Sequence, residues 1–192
     1  MQVVAFNGSP RKQGNTLHAL QAVMLPLQKA GIGTELVQLG GEPISGCKAC
    51  YACAKAKDGH CHGGRDDMLN DCIDRMRQAQ GILLGSPTYF SNVSSEIKAL
   101  IDRAGLVAKV NADMFKRKVG AAVVVARRAG ATHVFSSINY FFLINQMVVP
   151  GSRYWNLAIG REPGEIQKDE EGQATLTTLG ENMAWLLKKL YE

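Results

Sequence analysis

Val119-Gly120-Ala121-Ala122-Val123-Val124-Val125-Ala126 is a run of eight residues with no charge, no polar side chain and a high share of β-branched valine. A strand with one wet face would alternate apolar and polar residues. A run without alternation reads as a strand buried on both sides, the signature of a parallel sheet covered by helices above and below. The rest of the chain supplies matching units. Val3 to Phe6 is a short apolar run, followed from about Thr16 by Leu17, Leu20, Val23, Met24 and Leu27 at helical spacing, with Pro26 as a kink or a last turn and Gly31-Ile32-Gly33 as the stop. Glu35 to Leu39 reads as a second strand. Asp66 or Asp67 caps a helix carrying Met68, Cys72, Ile73 and Met76, and Gly81 to Gly85 is a third strand, followed by a helix from about Ser95 with Ile97, Leu100, Ile101 and Ala104 inward. After the central run, Val134 to Met147 reads as an apolar helix. Val148-Val149 starts a last short strand that resumes at Tyr154 to Ile159. Residues 160–172, rich in Glu, Asp and Gly, read as a solvated loop before a closing amphipathic helix through Leu176, Leu179, Met183, Leu186, Leu187 and Leu190.

Strand and helix thus alternate about five times without a break in composition or an internal repeat. The expectation is an α/β fold: one doubly wound parallel sheet with helices on both faces, as a single domain over 1–192 with a cysteine-rich loop insertion at about 44–65. A length of 192 residues fits one domain with a core that needs no disulfide staples. Hydrophobic content of 46% and charged content of 20% exclude a disordered tail. No stretch approaches the roughly 18 uninterrupted apolar residues of a membrane helix, and the first residues lack a basic segment followed by a long apolar one, so the expectation is a cytoplasmic protein with no membrane partner. The 22 Lys+Arg against 17 Asp+Glu give a net charge of +5, spread over several segments. That favours an anionic small ligand over a nucleic-acid stripe, and no helix-turn-helix or aromatic-basic interleaving points to nucleic acid.

In doubly wound sheets, ligands gather at the carboxyl ends of the strands. The loop after the first strand, Asn7-Gly8-Ser9-Pro10-Arg11-Lys12-Gln13-Gly14-Asn15-Thr16, combines glycines, small polar side chains and cations ahead of a helix start, a combination suited to phosphate. Gly14 is followed by Asn15-Thr16 and not by Lys-Ser/Thr, so it is not a Walker A loop, and Gly8-Ser9-Pro10 breaks a dinucleotide fingerprint. A polar turn with Thr16 as a simple helix cap has the same composition. Ser86-Pro87-Thr88-Tyr89-Phe90-Ser91-Asn92 leaves a central strand carrying Pro, Tyr and Phe, which suit the rim of a flat aromatic ligand or equally a cover for the core.

Gly8-Ser9-Pro10-Arg11-x-x-Gly14-Asn15-Thr16, Gly85-Ser86-Pro87-Thr88-Tyr89-Phe90 and Lys98-Ala99-Leu100-Ile101-Asp102-Arg103 together resemble the NADPH-dependent FMN reductases of flavodoxin-like fold, and the resemblance runs through the whole chain. It implies a three-layer fold with a five-stranded parallel sheet in the order 2-1-3-4-5. It also implies FMN, with the phosphate on Ser9, Arg11, Asn15 and Thr16, the ring along Pro87, Thr88, Tyr89 and Phe90, and Gly14 and Ser86 as further cofactor-binding residues. A third loop from Ala126 to Thr132 would add Arg127 and Gly130. By their charge and position alone, and not by the resemblance, Arg127 and Arg128 would suit the 2′-phosphate of NADPH. Such proteins pair as homodimers or homotetramers, and the apolar Phe135 to Met147 segment, with Tyr140, Phe141 and Phe142 adjacent, is the candidate interface helix.

Four of the five cysteines, Cys47, Cys50, Cys53 and Cys61, lie within fifteen residues. In a reducing compartment such clustering points to metal or redox chemistry. Cys47-x2-Cys50-x2-Cys53 has ferredoxin-like spacing, and a fourth thiol follows a loop containing Gly59, with Gly63 and Gly64 just beyond, which suits a [4Fe-4S] cluster. Zinc, which favours two separated Cys-x2-Cys pairs, fits less well. A dithiol, an adventitious metal site, or a ligand set drawing on His60 and His62 also remains open. The arrangement resembles the iron-sulfur flavoprotein subfamily. Cys72 on an apolar stripe reads as an inert core residue. His18 and His133 have no partner at informative spacing, Lys116-Arg117-Lys118 reads as a solvated turn, and no catalytic side chain is assigned. The expected function is an FMN-dependent oxidoreductase moving electrons between NAD(P)H or a ferredoxin-like donor and a small-molecule or protein acceptor. The alternatives are a non-enzymatic FMN/iron-sulfur electron carrier and a cysteine-based redox or metal sensor.

Overall fold

A computed structural model describes residues 1–63 and 66–192. Gly64, one of the glycines expected in the cysteine loop, lies outside the described residues, as does Arg65 at the end of the expected insertion. The chain runs β1 (Gln2–Asn7), α1 (Asn15–Lys29), β2 (Gly33–Gln38), α2 (Ala52–Ala56), α3 (Leu69–Gln78), β3 (Gly81–Pro87), α4 (Ser95–Val110), β4 (Val119–Ala126), α5 (Ala131–Ile144), β5 (Leu157–Ile159), a 3-10 turn at Glu165–Lys168, and α6 (Glu170–Tyr191). The five strands form one sheet in the order β2-β1-β3-β4-β5, with every neighbouring pair parallel.

All eight residues of β4 are buried, as an uncharged central strand must be. Successive residues face opposite sides. Val119, Ala121, Val123 and Val125 join Leu20, Val23 and Leu27 of α1 and Leu176, Leu179, Met183 and Leu187 of α6 in one core. Ala122, Val124 and Ala126 join residues of α3, α4 and α5 in the other. The result is a three-layer sandwich of flavodoxin-like topology. Cys72 is fully buried in the second core, and burial pushes its thiol up to about 12, so it packs as a small apolar residue. Pro26 sits in the last turn of α1, which continues to Lys29. Among the described residues, no helix is long and apolar enough to cross a membrane.

Several local expectations change. The acidic stretch after β5 is not a free loop. Ile166 is fully buried, and Asp169 accepts the backbone N–H groups of Ile159 at 2.7 Å and Gly172 at 3.0 Å, which caps α6 and starts it at Glu170. Helix α5 begins at Ala131, behind a left-handed Gly130, and ends at Ile144, because Gln146 turns left-handed (φ 57°) and leads Val148 into a single parallel bridge with Val119. Tyr154 to Asn156 do not pair as strand; β5 holds only three residues. Of the aromatic trio on α5, Phe141 and Phe142 are core residues, while Tyr140, Leu143 and Ile144 face outward. Lys118 departs from the expected solvated turn. Its ammonium is half-buried, donates to the carbonyls of Arg77 and Ala79, and has its pKa lowered by that burial.

Gly120 lies in β4 where a Cβ would come within 2.6 Å of the Phe142 ring and 2.9 Å of the Met147 methyl. Gly120→Ala is therefore expected to cost about 1–3 kcal/mol through overpacking. Urea unfolding of both proteins checks this, and an unchanged midpoint would refute it.

Candidate functional site

The cleft forms where the parallel ladder runs one step past the strands. Gly8 N–H donates to the Gly85 carbonyl at 2.8 Å, Thr88 N–H to Val125 at 2.8 Å, and Gly160 N–H to Ala126 at 2.9 Å, so each loop is fastened to the neighbouring strand as it departs. The β1–α1 loop is fixed further by the Asn7 and Gln38 amides. Asn7 Oδ1 accepts the Ser9 N–H at 3.1 Å, and Gln38 Nε2 donates to the Ser9 carbonyl at 2.8 Å. Helix α1 starts behind Gly14 with no side-chain cap and no acidic residue in its first turn. Its N-terminus therefore offers uncapped N–H groups and the positive end of the helix dipole to an anion.

Ser9, Arg11, Asn15, Thr16, Pro87, Thr88, Tyr89 and Arg127 line one cleft of about 290 Å³ together with Val125, Gly160 and Arg161. Two oxygens in it, Asn15 Oδ1 and Thr88 Oγ1, are buried with no hydrogen-bond partner. A buried acceptor and a buried hydroxyl left unpaired are costly in a closed protein and inexpensive where a ligand completes them. Asn15 is aimed by its amide, whose Nδ2 donates to the Glu162 carbonyl at 2.8 Å.

The remaining expected residues adjoin the cleft without lining it. Ser86 is fully buried beneath it, where its hydroxyl accepts the Ser94 N–H at 3.0 Å and ties the β3 loop to the start of α4. Phe90 points to solvent at 106% relative exposure. Tyr89 and Asn92 pair across a two-residue turn in which Phe90 and Ser91 both have positive φ, and this swings the Phe90 ring outward. Gly14 is the cap residue of α1. Gly130, at φ 84°, would place a Cβ 2.4 Å from Ser91 Oγ, so its role is to let the third loop lie against the second. Gly160 and Arg161 were not anticipated, because the segment after β5 reads as solvated. The usable signal was their position directly after the last strand.

The cysteine segment packs against α4. Cys47, Cys50, Cys53 and Cys61 all line one pocket floored by Arg103, Leu106 and Val107. Left-handed residues at Ala49, Tyr51 and Lys57 coil the chain around it, and Ala49 N–H points at Cys47 Sγ at 3.4 Å. Cys53 is 5% exposed, Cys61 half-buried, and Cys47 and Cys50 exposed. Burial, reinforced by the neighbouring Cys61 and Cys50, pushes the Cys53 thiol up. His60 Nε2 lies 3.1 Å from both carboxylate oxygens of Asp74, and His62 Nε2 lies 2.8 Å from Asp58, so both flanking imidazoles are engaged by carboxylates. Among the described residues, no three Cys, His, Asp or Glu side chains stand ready around a common metal point. The fit to an iron-sulfur cluster is therefore one of donor set and placement, four thiols on one pocket, and not of preformed ligand geometry.

Beneath the thiols lies a buried ion pair. Arg103 and Asp67 are each 4% exposed in their side chains and meet at 2.5 Å. Burial alone would raise the Asp67 pKa, but hydrogen bonds from Arg103 and from the backbone N–H groups of Ser45 and Leu69 outweigh it and hold the carboxyl below the usual range.

Comparison with known proteins accords with this geometry. The model of the NADPH-dependent FMN reductase family matches residues 1–162. The chain belongs to this family. Within it, the curated relatives place the chain in the iron-sulfur flavoprotein branch. An iron-sulfur flavoprotein of Methanocaldococcus jannaschii is 32% identical, with 98% of each chain covered, and one of Archaeoglobus fulgidus is 34% identical over 88% of this chain and 82% of its own. Among solved structures, RosB with a bound riboflavin-phosphate intermediate has a TM-score of 0.75 at 18% identity, covering 99% of this chain and 80% of that one. An NAD(P)H:quinone oxidoreductase of Methanothermobacter marburgensis has a TM-score of 0.67 at 14% identity, covering 95% and 98%. At such identities these likenesses establish the flavodoxin-like fold, in keeping with the 2-1-3-4-5 sheet.

Because Asp67 is more acidic in the folded chain than unfolded, its stabilisation is complete above its ordinary value of 3.8 and is lost as pH falls through the lower folded value. Asp67→Asn leaves the Arg103 charge buried and is expected to cost about 3–5 kcal/mol at neutral pH. Urea melts of both proteins at pH 7 and at successively lower pH below 3.8 should show the gap narrowing. A gap that persists unchanged in acid contradicts the assignment.

Proposed function

We propose that this chain is an FMN-dependent oxidoreductase that moves electrons between a reduced nicotinamide or a ferredoxin-like donor and a small-molecule or protein acceptor, using FMN in the cleft and a [4Fe-4S] cluster on Cys47, Cys50, Cys53 and Cys61. The observation that carries the reading is the pair of unpartnered oxygens, Asn15 Oδ1 and Thr88 Oγ1, in a cleft bordered by an uncapped helix start and by Arg11 and Arg127. When bound, FMN would supply a ring that exchanges electrons singly or in pairs, and the cluster a centre that exchanges them one at a time.

The residues divide the work of binding. Ser9, Asn15, Thr16 and the first N–H groups of α1 hold the phosphate, with Gly14 shaping the turn. Arg11 and Arg127 offset its charge. Pro87, Thr88 and Tyr89 flank the ring, and Val125 gives it an apolar wall. Ser86, Phe90 and Gly130 act on the loops that border it. No side chain is required as acid or base. The domain reading is one flavodoxin-like unit over 1–192 with the thiol loop inserted at about 44–65. It acts in the cytoplasm as a homodimer or homotetramer, with the outward Tyr140, Leu143 and Ile144 of α5 as the interface. The reading as a non-enzymatic electron carrier draws on one feature, the exposure of Cys47 and Cys50, which would leave a cluster within reach of a protein partner.

Anaerobic preparation followed by flavin, iron and sulfide counts tests both cofactors. Steady NAD(P)H oxidation with a quinone or free flavin supports the enzyme. Reduction only by a reduced ferredoxin supports the carrier. Arg11→Ala is expected to weaken FMN binding about tenfold to a hundredfold, as for loss of a charged hydrogen bond, and to leave riboflavin, which lacks the phosphate, unaffected. Equal loss for both ligands, read from flavin fluorescence, would remove Arg11 from the phosphate site.

A further inference from the structure

Arg103 occupies a core position of α4, in helical register with Leu100 and Val107, where an apolar residue would be ordinary. Its guanidinium makes contacts in three directions. Nη1 donates to Asp67 and to the Ser45 carbonyl at 3.0 Å, and Nη2 points at Cys61 Sγ at 3.5 Å. Ser45 precedes the first thiol, Cys61 is the last, and Asp67 leads into α3. One side chain therefore fastens both ends of the cysteine segment to the helix beneath it.

A buried Arg–Asp pair is a poor way to gain stability, since well-packed apolar residues of similar volume commonly do as well or better. What apolar packing could not provide is an N–H donor and a positive charge directed at sulfur. Donors to the sulfurs of an iron-sulfur site, and nearby charge, are among the main determinants of its reduction potential. Gaining one electron increases negative charge on the cluster and its ligand sulfurs, so a cation at Cys61 favours the reduced form. Of the other polar side chains near the segment, His60 is turned to Asp74 and His62 to Asp58, while Asn70 holds the Cys61 backbone, accepting its N–H at 2.8 Å and donating to its carbonyl at 3.2 Å.

We propose that Arg103 is a positioning residue of the thiol site, clamping its two ends and raising the reduction potential of the cluster through Cys61. The proposal rests on the cluster reading above, and its test separates the two. Wild-type protein, Arg103→Gln and Arg103→Lys are prepared anaerobically, their iron, sulfide and FMN are counted, and the cluster is titrated potentiometrically by electron paramagnetic resonance. Arg103→Gln should keep its FMN and either lose iron and sulfide or hold a cluster that is at least tenfold harder to reduce, 59 mV for one electron. Arg103→Lys, which keeps the charge and loses the fork, should recover part of the shift or part of the cluster content. Variants that hold a full cluster at the wild-type potential overturn the proposal and leave the cluster reading intact. Variants that lose FMN and cluster together mark a residue of the fold alone, and this also overturns it. A wild-type protein that takes up no iron and sulfide removes the cluster reading and this role with it.

Discussion

Because β4 and β3 are covered on both faces, no functional group can sit on the sheet itself, and the chemistry is confined to the strand ends. The ladder does more than support those ends. The same parallel hydrogen bonding that pairs Asn7 with Gly85 and Pro87 with Val125 continues for one N–H into each loop, at Gly8, Thr88 and Gly160. The start of each loop is thus set by backbone geometry before any side chain contributes. Ser9, Thr88 and Arg161 then lie close to such anchored points, which is how polar side chains from distant stretches of chain come to face one cavity.

The thiol site is held in a different way. Its segment has few apolar residues to bury, and its turns rest on non-glycine residues in the left-handed region, each a conformational cost. Cys53 and the single turn of α2 reach the core, whereas Cys47 and Cys50 do not. Segments of this type open more easily than sheet-anchored loops. The Arg103–Asp67 pair acts against that tendency by joining residues 36 positions apart, with Cys61 a further contact 42 positions from Arg103. The cleft is organised by the fold, and the thiol pocket by side-chain contacts laid across it: the Arg103–Asp67 pair, Asn70 on the Cys61 backbone and Asn111 on the Gly59 N–H.

This contrast also explains what could be read from the sequence. The strands and the inward helix faces were legible because burial imposes periodicity, and the two loops after β1 and β3 stood out because glycine, small polar, cationic and aromatic residues are an unusual composition at strand ends; both do line one cleft. Gly160 and Arg161 were not, since the acidic stretch around them looks like a solvent loop, and its single apolar anchor, Ile166, carries no period. Phe90 reads as a ring neighbour by composition. Its outward direction depends on a left-handed turn at Phe90-Ser91, which lacks the Asn-Gly signature of such turns. Arg103 stood in a recognised motif, but its role depends on partners far away in sequence, which no local pattern encodes.

The net charge of +5 shows why position outweighs count. Lys98 pairs with Asp102 and Lys109 with Asp113 at helical spacing on the surface, where solvent and salt screen such pairs and they add little. These cations could be exchanged with little consequence for folding or chemistry. Arg11 and Arg127 border a cleft with unpaired oxygens, and Arg103 is shut away from water beside a thiol, where reduced screening magnifies any effect of its charge. The basic excess is therefore not one property of the surface. The cations differ by place: Lys98 and Lys109 are paired at the surface, Arg11 and Arg127 border a cleft that holds unpaired oxygens, and the buried Arg103 meets a carboxylate and a sulfur.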